Sequence, residues 1–503
     1  MKSGYGFLSS GLLLSLLSGC AKGPTTEQPN VIIILCDDLG YGDVGCYGQQ
    51  KIRTPHLDRM AEEGLRFTQA YAGSPVSAPS RATLMTGQHT GHTAVRGNKE
   101  YWRDVPIQYY GENPDFSRVG QHPYDSSQLI LPELLKQRGY TTGLFGKWAG
   151  GYEGSHSTPD QRGIDEFFGY ICQYQAHLYY PNFLNRYAPQ LGDTGVVRIP
   201  LQENIRHPQH GPGYRQRTQY SADLIHRAAM DWLDRQTDEK PFLGLFTYTL
   251  PHAELVQPND SLVQTYRQQF LNDTPWIAWH GSRYNSTEHP HAEFAAMVSR
   301  LDAYVGEILE KLRTKGLDRN TLVLFTSDNG PHQEGGADPT FFDSNGPWRG
   351  IKRDTYEGGI RVPFIAWWPE TIHPGQESDH PIIFYDIFST LEELTQETNE
   401  ETRQQPATGN TDGISFAPTL LGQGEQIAHD FLYWEFEETD QVTIRKGDWK
   451  MIAIRGVPHL YNLKDDPQEE HNVAAQYPDL VQELITIARS QHTESPHFPV
   501  TMP

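Results

Sequence analysis

Two acidic pairs and one serine are the residues of this chain best suited to chemistry. Asp37-Asp38 stands immediately after the apolar run Val31-Ile32-Ile33-Ile34-Leu35, and Asp328-Asn329 closely follows Thr321-Leu322-Val323-Leu324-Phe325-Thr326. Continuous β-branched runs of this kind predict strands buried on both faces, as in a parallel sheet. Ligands of open α/β sheets bind outside the carboxyl ends of the strands, so the two pairs can converge on one point. Three carboxylates and an amide are hard oxygen donors, suited to Ca²⁺ or Mg²⁺ rather than Zn²⁺. Either pair alone also reads as a turn, since Asp and Asn bond readily to nearby backbone. Ser77 begins the stretch Ser77-Ala78-Pro79-Ser80-Arg81, with a proline placed for the first turn of a helix. The partial positive charge at such an N-terminus favours anionic ligands. A serine hydroxyl is itself a weak nucleophile at neutral pH and needs an adjacent base.

The elements that must position these residues follow from the pattern. Residues 241–249 and 362–368 are two further candidate strands, and amphipathic segments at 131–138, 221–236 and 291–315 lie between the strands. Strands alternating with helices predict an α/β architecture with a large, mixed, mostly parallel sheet flanked by helices. After residue 425 the character changes. Short strands at 431–436, 442–445 and 449–454 and a helix at 478–490 predict a small C-terminal α+β domain with an antiparallel sheet. Residues 98–124 show no clear periodicity but carry Tyr101, Trp102, Tyr109, Tyr110 and Phe116. A loop this long is uncommon unless functional or disordered.

At 503 residues, two domains are expected. Beyond residue 20 no apolar run is long enough to span a membrane. Residues 1–19 read as a lipoprotein signal peptide: Lys2 supplies a positive n-region, residues 12–17 an apolar core, and Leu17-Ser18-Gly19-Cys20 the cleavage box. Such signals imply a lipidated Cys20, with residues 20–29 as a tether, residues 30–425 as the catalytic domain and 426–503 as the second. The expected location is the bacterial cell envelope, periplasmic or surface-facing, with the lipid anchor as the one attachment to the membrane. The remaining cysteines, Cys36, Cys46 and Cys172, are odd in number and give no disulfide framework. A formal net charge of −22 argues against nucleic acid as a partner. An anionic substrate would then need a local basic pocket.

The Ser77 stretch resembles the signature of the type I, formylglycine-dependent sulfatases, of the serine type found among bacterial carbohydrate sulfatases. Arg349-Gly350-Ile351-Lys352-Arg353-Asp354-Thr355-Tyr356-Glu357-Gly358-Gly359-Ile360-Arg361-Val362-Pro363 resembles a second family block, and Gly146-Lys147-Trp148 a third. Gly447-Asp448-Trp449-Lys450 and Leu460-Tyr461-Asn462-Leu463 are similar to the family's C-terminal domain. The resemblance implies an alkaline-phosphatase-like sulfatase fold. It implies that a serine-acting maturase converts Ser77 to formylglycine (3-oxoalanine), and that Asp37, Asp38, Asp328, Asn329 and modified Ser77 hold a Ca²⁺ or Mg²⁺. One hydroxyl of the hydrated aldehyde then attacks sulfur, and the second later expels sulfate. Lys147 and Lys352 balance the sulfuryl charge, Arg81 holds the diol, and His252, in Leu250-Pro251-His252-Ala253-Glu254, protonates the leaving oxygen.

One departure stands out. Many sulfatases continue Gly-Lys-Trp with His, and this chain has Ala149. His156 and His177 are the candidates to supply that imidazole. The segments around Ala176-His177 and Ser344-Asn345-Gly346-Pro347-Trp348 resemble sulfatases acting on galactose-type sugars, which makes His177 and Arg353 candidate sugar contacts. The expected substrate is a sulfated oligosaccharide, attacked from its end, in algal galactans or glycosaminoglycan fragments. The competing readings are a phosphate-ester hydrolase of the same superfamily, disfavoured by the oxygen-only ligand set, and a non-catalytic glycan-binding lipoprotein.

Overall fold

The computed structural model describes residues 28–102, 119–206, 214–279, 282, 284–396 and 411–503, together with Met1. Cys20 and the signal segment lie outside the described residues, as do Tyr109, Tyr110 and Phe116 of the aromatic loop.

A ten-stranded sheet forms the frame, in the order Gln376–Ser378, Leu65–Phe67, Phe364–Trp367, Thr321–Ser327, Asn30–Cys36, Phe242–Thr247, Thr141–Lys147, Glu166–Tyr170, Phe183–Tyr187 and Val197–Pro200. The five strands from Thr321–Ser327 to Glu166–Tyr170 run parallel. Phe364–Trp367 runs antiparallel to its neighbour Thr321–Ser327, and the opposite edge closes with two more antiparallel pairs. Asn30–Cys36 is buried along its whole length and feeds two cores. Ile32, Ile34 and Cys36 face one layer, built on the helices Ser221–Asp234 and Pro290–Lys315. Val31, Ile33 and Leu35 face the other, built on Ser77–Thr86, Leu131–Gln137 and Phe384–Leu394. This alternation is the two-residue period of a strand, and it explains why the run carries no polar face. The helix Pro290–Lys315 starts with proline in its first turn and stops at Gly316, which takes the left-handed conformation (φ 68°) that a side chain would resist.

The C-terminal part is a four-stranded antiparallel sheet, Leu432–Phe436, Gln441–Lys446, Trp449–Ile454 and Val457–Asn462, covered by the helix Pro478–Gln491. The fourth strand adds to the three expected. Trp434 fastens this sheet to the larger part of the chain, its indole N–H donating to the Ala72 carbonyl at 2.9 Å. Beside it lies a buried charge cluster. Lys450 Nζ sits 2.9 Å from Glu357 and 3.0 Å from Glu469, and the Glu357 N–H donates to Glu469 Oε2 at 2.7 Å. Tyr71 donates to Glu357 at 2.7 Å, Arg361 stands 3.3 Å from it, and Arg445 donates to the Tyr71 hydroxyl. Burial works against the Glu357 carboxylate, but Lys450 and the two arginines hold its pKa down at about 2. Cys36, Cys46 and Cys172 are not joined in a disulfide.

Candidate active site

The parallel register pairs Cys36 with Ser327, so the residues that follow, Asp37 and Asp328, leave the sheet side by side. The backbone locks this exit: Asp328 N–H donates to the Cys36 carbonyl at 3.1 Å, and Asp38 N–H donates to Asp328 Oδ1 at 3.1 Å. Asp38 itself is in the left-handed region, at φ 63°. Ser77 opens the helix Ser77–Thr86, as expected, with its N–H end directed at the same point. Its Oγ donates to Asp37 Oδ1 at 2.8 Å and lies 3.5 Å from Asn329 Oδ1. The amide of Asn329 donates to Asp38 Oδ1 at 2.7 Å. Asp37, Asp38, Ser77, Asp328 and Asn329 are all at most 1% exposed.

Cations ring this oxygen cluster. Lys147, the last residue of its strand, sits 2.7 Å from Asp37 Oδ2. Lys352 sits 2.7 Å from Asp38 Oδ2 and 3.0 Å from His252 Nε2. Arg81, one turn into the serine helix, places Nε 2.9 Å and its terminal nitrogen 2.7 Å from Asp328 Oδ2. Burial alone would raise every one of these carboxyls. Lys147, His252 and Arg81 outweigh it at Asp37, which is held well below its usual range, and Lys352 does the same for Asp38. Asp328 is the exception: burial and the neighbouring Asp37 push it up to about 6 despite Arg81. Burial lowers Lys147 against the pull of Asp37, whereas Asp38 and Glu334 overcome burial and raise Lys352.

The imidazoles form a second layer. His252 stacks on His177 at 4.5 Å with the ring planes 3° apart, and on its other side His332 lies at 5.5 Å and 15°. Burial and the adjacent Lys352 bring His252 down to about 4, so it rests neutral. His177 is thus brought to the site. His156 is not: its Nε2 faces the Tyr124 carbonyl at 3.0 Å, which corrects its candidacy for the position opposite Ala149. Ala149 is fully buried, with φ 57°. Arg353 lies at the rim, 2.6 Å from Glu334 and 3.4 Å from Glu438.

Three residues at the site were not anticipated: His332, Glu334 and Tyr284. Glu334 Oε2 is 3.4 Å from Lys352 and 3.7 Å from His252, and it accepts the Tyr284 hydroxyl at 2.7 Å. His332 Nδ1 accepts the Glu334 N–H at 3.1 Å. Their signal was faint. His332 and Glu334 follow Asp328-Asn329-Gly330-Pro331 in a turn without periodicity, where only closeness to the acidic pair marks them, and Tyr284 lies in an earlier segment with no such marker.

The donor set could hold a hard divalent cation. Asp37, Asp38 and Asp328 are desolvated together, and the oxygens of Asn329 and Ser77 face the same space. His252 also lies within reach of Asp37 and Asp38, but its Nε2 faces the Lys352 ammonium, which leaves oxygen as the ligand type.

Comparison with known proteins agrees with this geometry. The sulfatase family model matches residues 29–397, and the model for the C-terminal part of N-sulphoglucosamine sulphohydrolase matches residues 348–492. An N-acetylgalactosamine-6-O-sulfatase of Bacteroides thetaiotaomicron is 28% identical over 95% of this chain and 97% of its own length. The N-acetylgalactosamine-6-sulfatase of Rattus norvegicus is 30% identical over 96% of this chain and 82% of its own. Among solved structures, that of Ps i-CgsB in complex with k-i-k-neocarrahexaose superposes with a TM-score of 0.69 at 25% identity, covering 95% of each chain.

Proposed function

We propose that this chain, which belongs to the sulfatase family and is a sulfuric ester hydrolase, removes sulfate from terminal sugars of sulfated oligosaccharides through a formylglycine made from Ser77. The observation that carries the reading is the position of Ser77 Oγ, 2.8 Å from Asp37 and flanked by two buried ammonium groups and an imidazole. A serine there has no free base to activate it. The hydrated aldehyde would supply a doubly hydroxylated nucleophile, and a Ca²⁺ or Mg²⁺ held by Asp37, Asp38, Asp328, Asn329 and modified Ser77 would acidify it.

The chain's own side chains do the rest. Lys147 and Lys352 give an acidic protein its local cationic pocket and take up charge on the sulfuryl oxygens. Arg81 fixes Asp328 and faces the nucleophile from one turn below. His252, stacked on His177, would take a proton onto Nε2, the nitrogen that faces the Lys352 ammonium, and pass it to the departing alcohol. His177 and Arg353 are the proposed sugar contacts. The names of the two N-acetylgalactosamine sulfatases support a galacto-configured substrate, galactose or N-acetylgalactosamine, within algal galactans or glycosaminoglycan fragments.

We assign the export segment the role the sequence suggests: a lipidated Cys20 holds the enzyme in the cell envelope. Loss of membrane fractionation in Cys20→Ser tests this. The deciding experiment for the chemistry is the mass of the Ser77 peptide from protein made with a serine-acting maturase. A deficit of two hydrogens is expected, and an unmodified serine in fully active enzyme would overturn the nucleophile. A panel of sulfated saccharides tests the sugar: preference for glucosamine or uronate sulfates would remove the galacto assignment and leave the sulfatase.

A further inference from the structure

We infer that Trp276 and Trp279, on a hairpin closed by the antiparallel pairing of Trp276 with Thr287, form a second sugar-binding surface, which stacks the saccharide unit next to the sulfated one. The inference rests on the oligosaccharide reading above and extends it beyond the reacting sugar.

The hairpin is tied to the active site at several points. Trp276 and Thr287 exchange backbone hydrogen bonds of 2.9 and 3.0 Å, which close its two arms. On the returning arm Asn285 donates to the buried Glu254, two residues after His252. Tyr284 donates to Glu334, and its ring lies 5.8 Å from His177 and 6.3 Å from His252. On the outgoing arm Trp276 packs over Gly336, where an added Cβ would lie 2.7 Å from the Trp276 Cβ. Gly336 (φ 101°) stands two residues after Glu334. Trp276 is therefore anchored by the same turn that carries the site's acidic residue.

Trp279 extends this line outward. Its ring lies 5.8 Å from Trp276 at 70°, an edge-to-face contact that sets the indole's orientation. It remains 66% exposed, next to Ile277 at 70%. An indole held by an edge contact and left open to water, on a hairpin tied to the turn of Glu334, suits the C–H face of a pyranose. It combines a flat apolar surface with little rotamer entropy to lose on binding. Two exposed side chains are far short of the roughly 800 Å² per partner that a stable protein interface covers. The net charge of −22 opposes an anionic membrane surface. A single sugar ring fits the scale of the patch.

The test compares Trp279→Ala with the unaltered enzyme on two substrates: a sulfated monosaccharide, and the same sugar at the end of a di- or trisaccharide. The pair is built on whichever sulfated sugar the unaltered enzyme turns over best, so failure of the galacto assignment leaves this comparison readable. On the oligosaccharide, kcat/KM should fall about tenfold, mainly through KM. On the monosaccharide it should be unchanged, and Trp279→Tyr should recover most of the loss. In protein left unmatured, the same ratio is read from Kd by calorimetry. An equal loss on both substrates, or no loss on either, would overturn the inference.

Discussion

Two of the clusters in which the molecule buries charge pair carboxylates with cations in the same way and differ in what else they gather. At the seam between the large sheet and the C-terminal sheet, Lys450 lies between Glu357 and Glu469, and Tyr71, Arg361 and Arg445 complete the set. Each acidic group there is answered by a cation or a donor. At the ends of Asn30–Cys36 and Thr321–Ser327 each carboxylate is answered too, Asp37 by Lys147, Asp38 by Lys352 and Asp328 by Arg81, but here the Ser77 hydroxyl and the Asn329 amide are drawn into the same cluster. In both clusters burial and a neighbouring carboxylate leave one acid high, Asp328 at about 6 and Glu469 at about 7. The seam brings two carboxylates to one lysine, whereas the strand ends gather three carboxylates, an amide and a hydroxyl, a set that could hold a hard cation. Buried charge by itself does not mark a site; the gathering of such donors around Ser77 is what sets this cluster apart.

The contrast can be broken by mutation. Ser77→Ala removes the nucleophile without touching either core, so sulfate release should fall by more than about three orders of magnitude while thermal unfolding is unchanged. Activity retained in this variant would place the chemistry elsewhere. Treating matured enzyme with a chelator should lower turnover by more than about a hundredfold, and Ca²⁺ should restore it. The seam holds no comparable oxygen cluster among the described residues, so chelation should leave little trace on stability beyond that site. Anomalous scattering from zinc between Asp37 and Asp328 would defeat the oxygen-ligand assignment. The smallest effect on chemistry is expected at the seam. Lys450→Met strands two buried carboxylates and should cost about 3–5 kcal/mol in urea unfolding, while the folded fraction keeps its kcat within about twofold. A parallel collapse of kcat would mean that the seam positions Lys352 and that the two clusters act as one.

Much of this was legible in the sequence, for reasons that differ by residue. The strands Asn30–Cys36 and Thr321–Ser327 are covered on both faces, so their apolar runs stood out and placed the acidic pairs at the right ends. The three strands toward one end of the sheet, Glu166–Tyr170, Phe183–Tyr187 and Val197–Pro200, were not read, because they are short and only partly buried. The direction of Phe364–Trp367 was equally hidden, since an apolar run does not show whether it pairs parallel or antiparallel. At the site, Lys147 and Lys352 were found through their motifs. His156 and His177 looked alike as isolated histidines, and only the fold sends one to the Tyr124 backbone and the other onto His252. His332, Glu334 and the tryptophan hairpin sit on turns, where neither periodicity nor propensity assigns a partner.

The burial of Ser77 also bears on the order of events in the life of this chain. Its side chain is 1% exposed, it stands in the first turn of a helix whose ten residues are all buried, and Asn98 accepts the N–H of the very next residue. An enzyme that modified Ser77 would have to reach it, and the finished fold buries it. The conversion proposed for Ser77 would therefore belong to the nascent or unfolded polypeptide. The rate at which the large sheet closes would set the time available, and molecules that fold before they are modified would emerge stable, correctly shaped and inert.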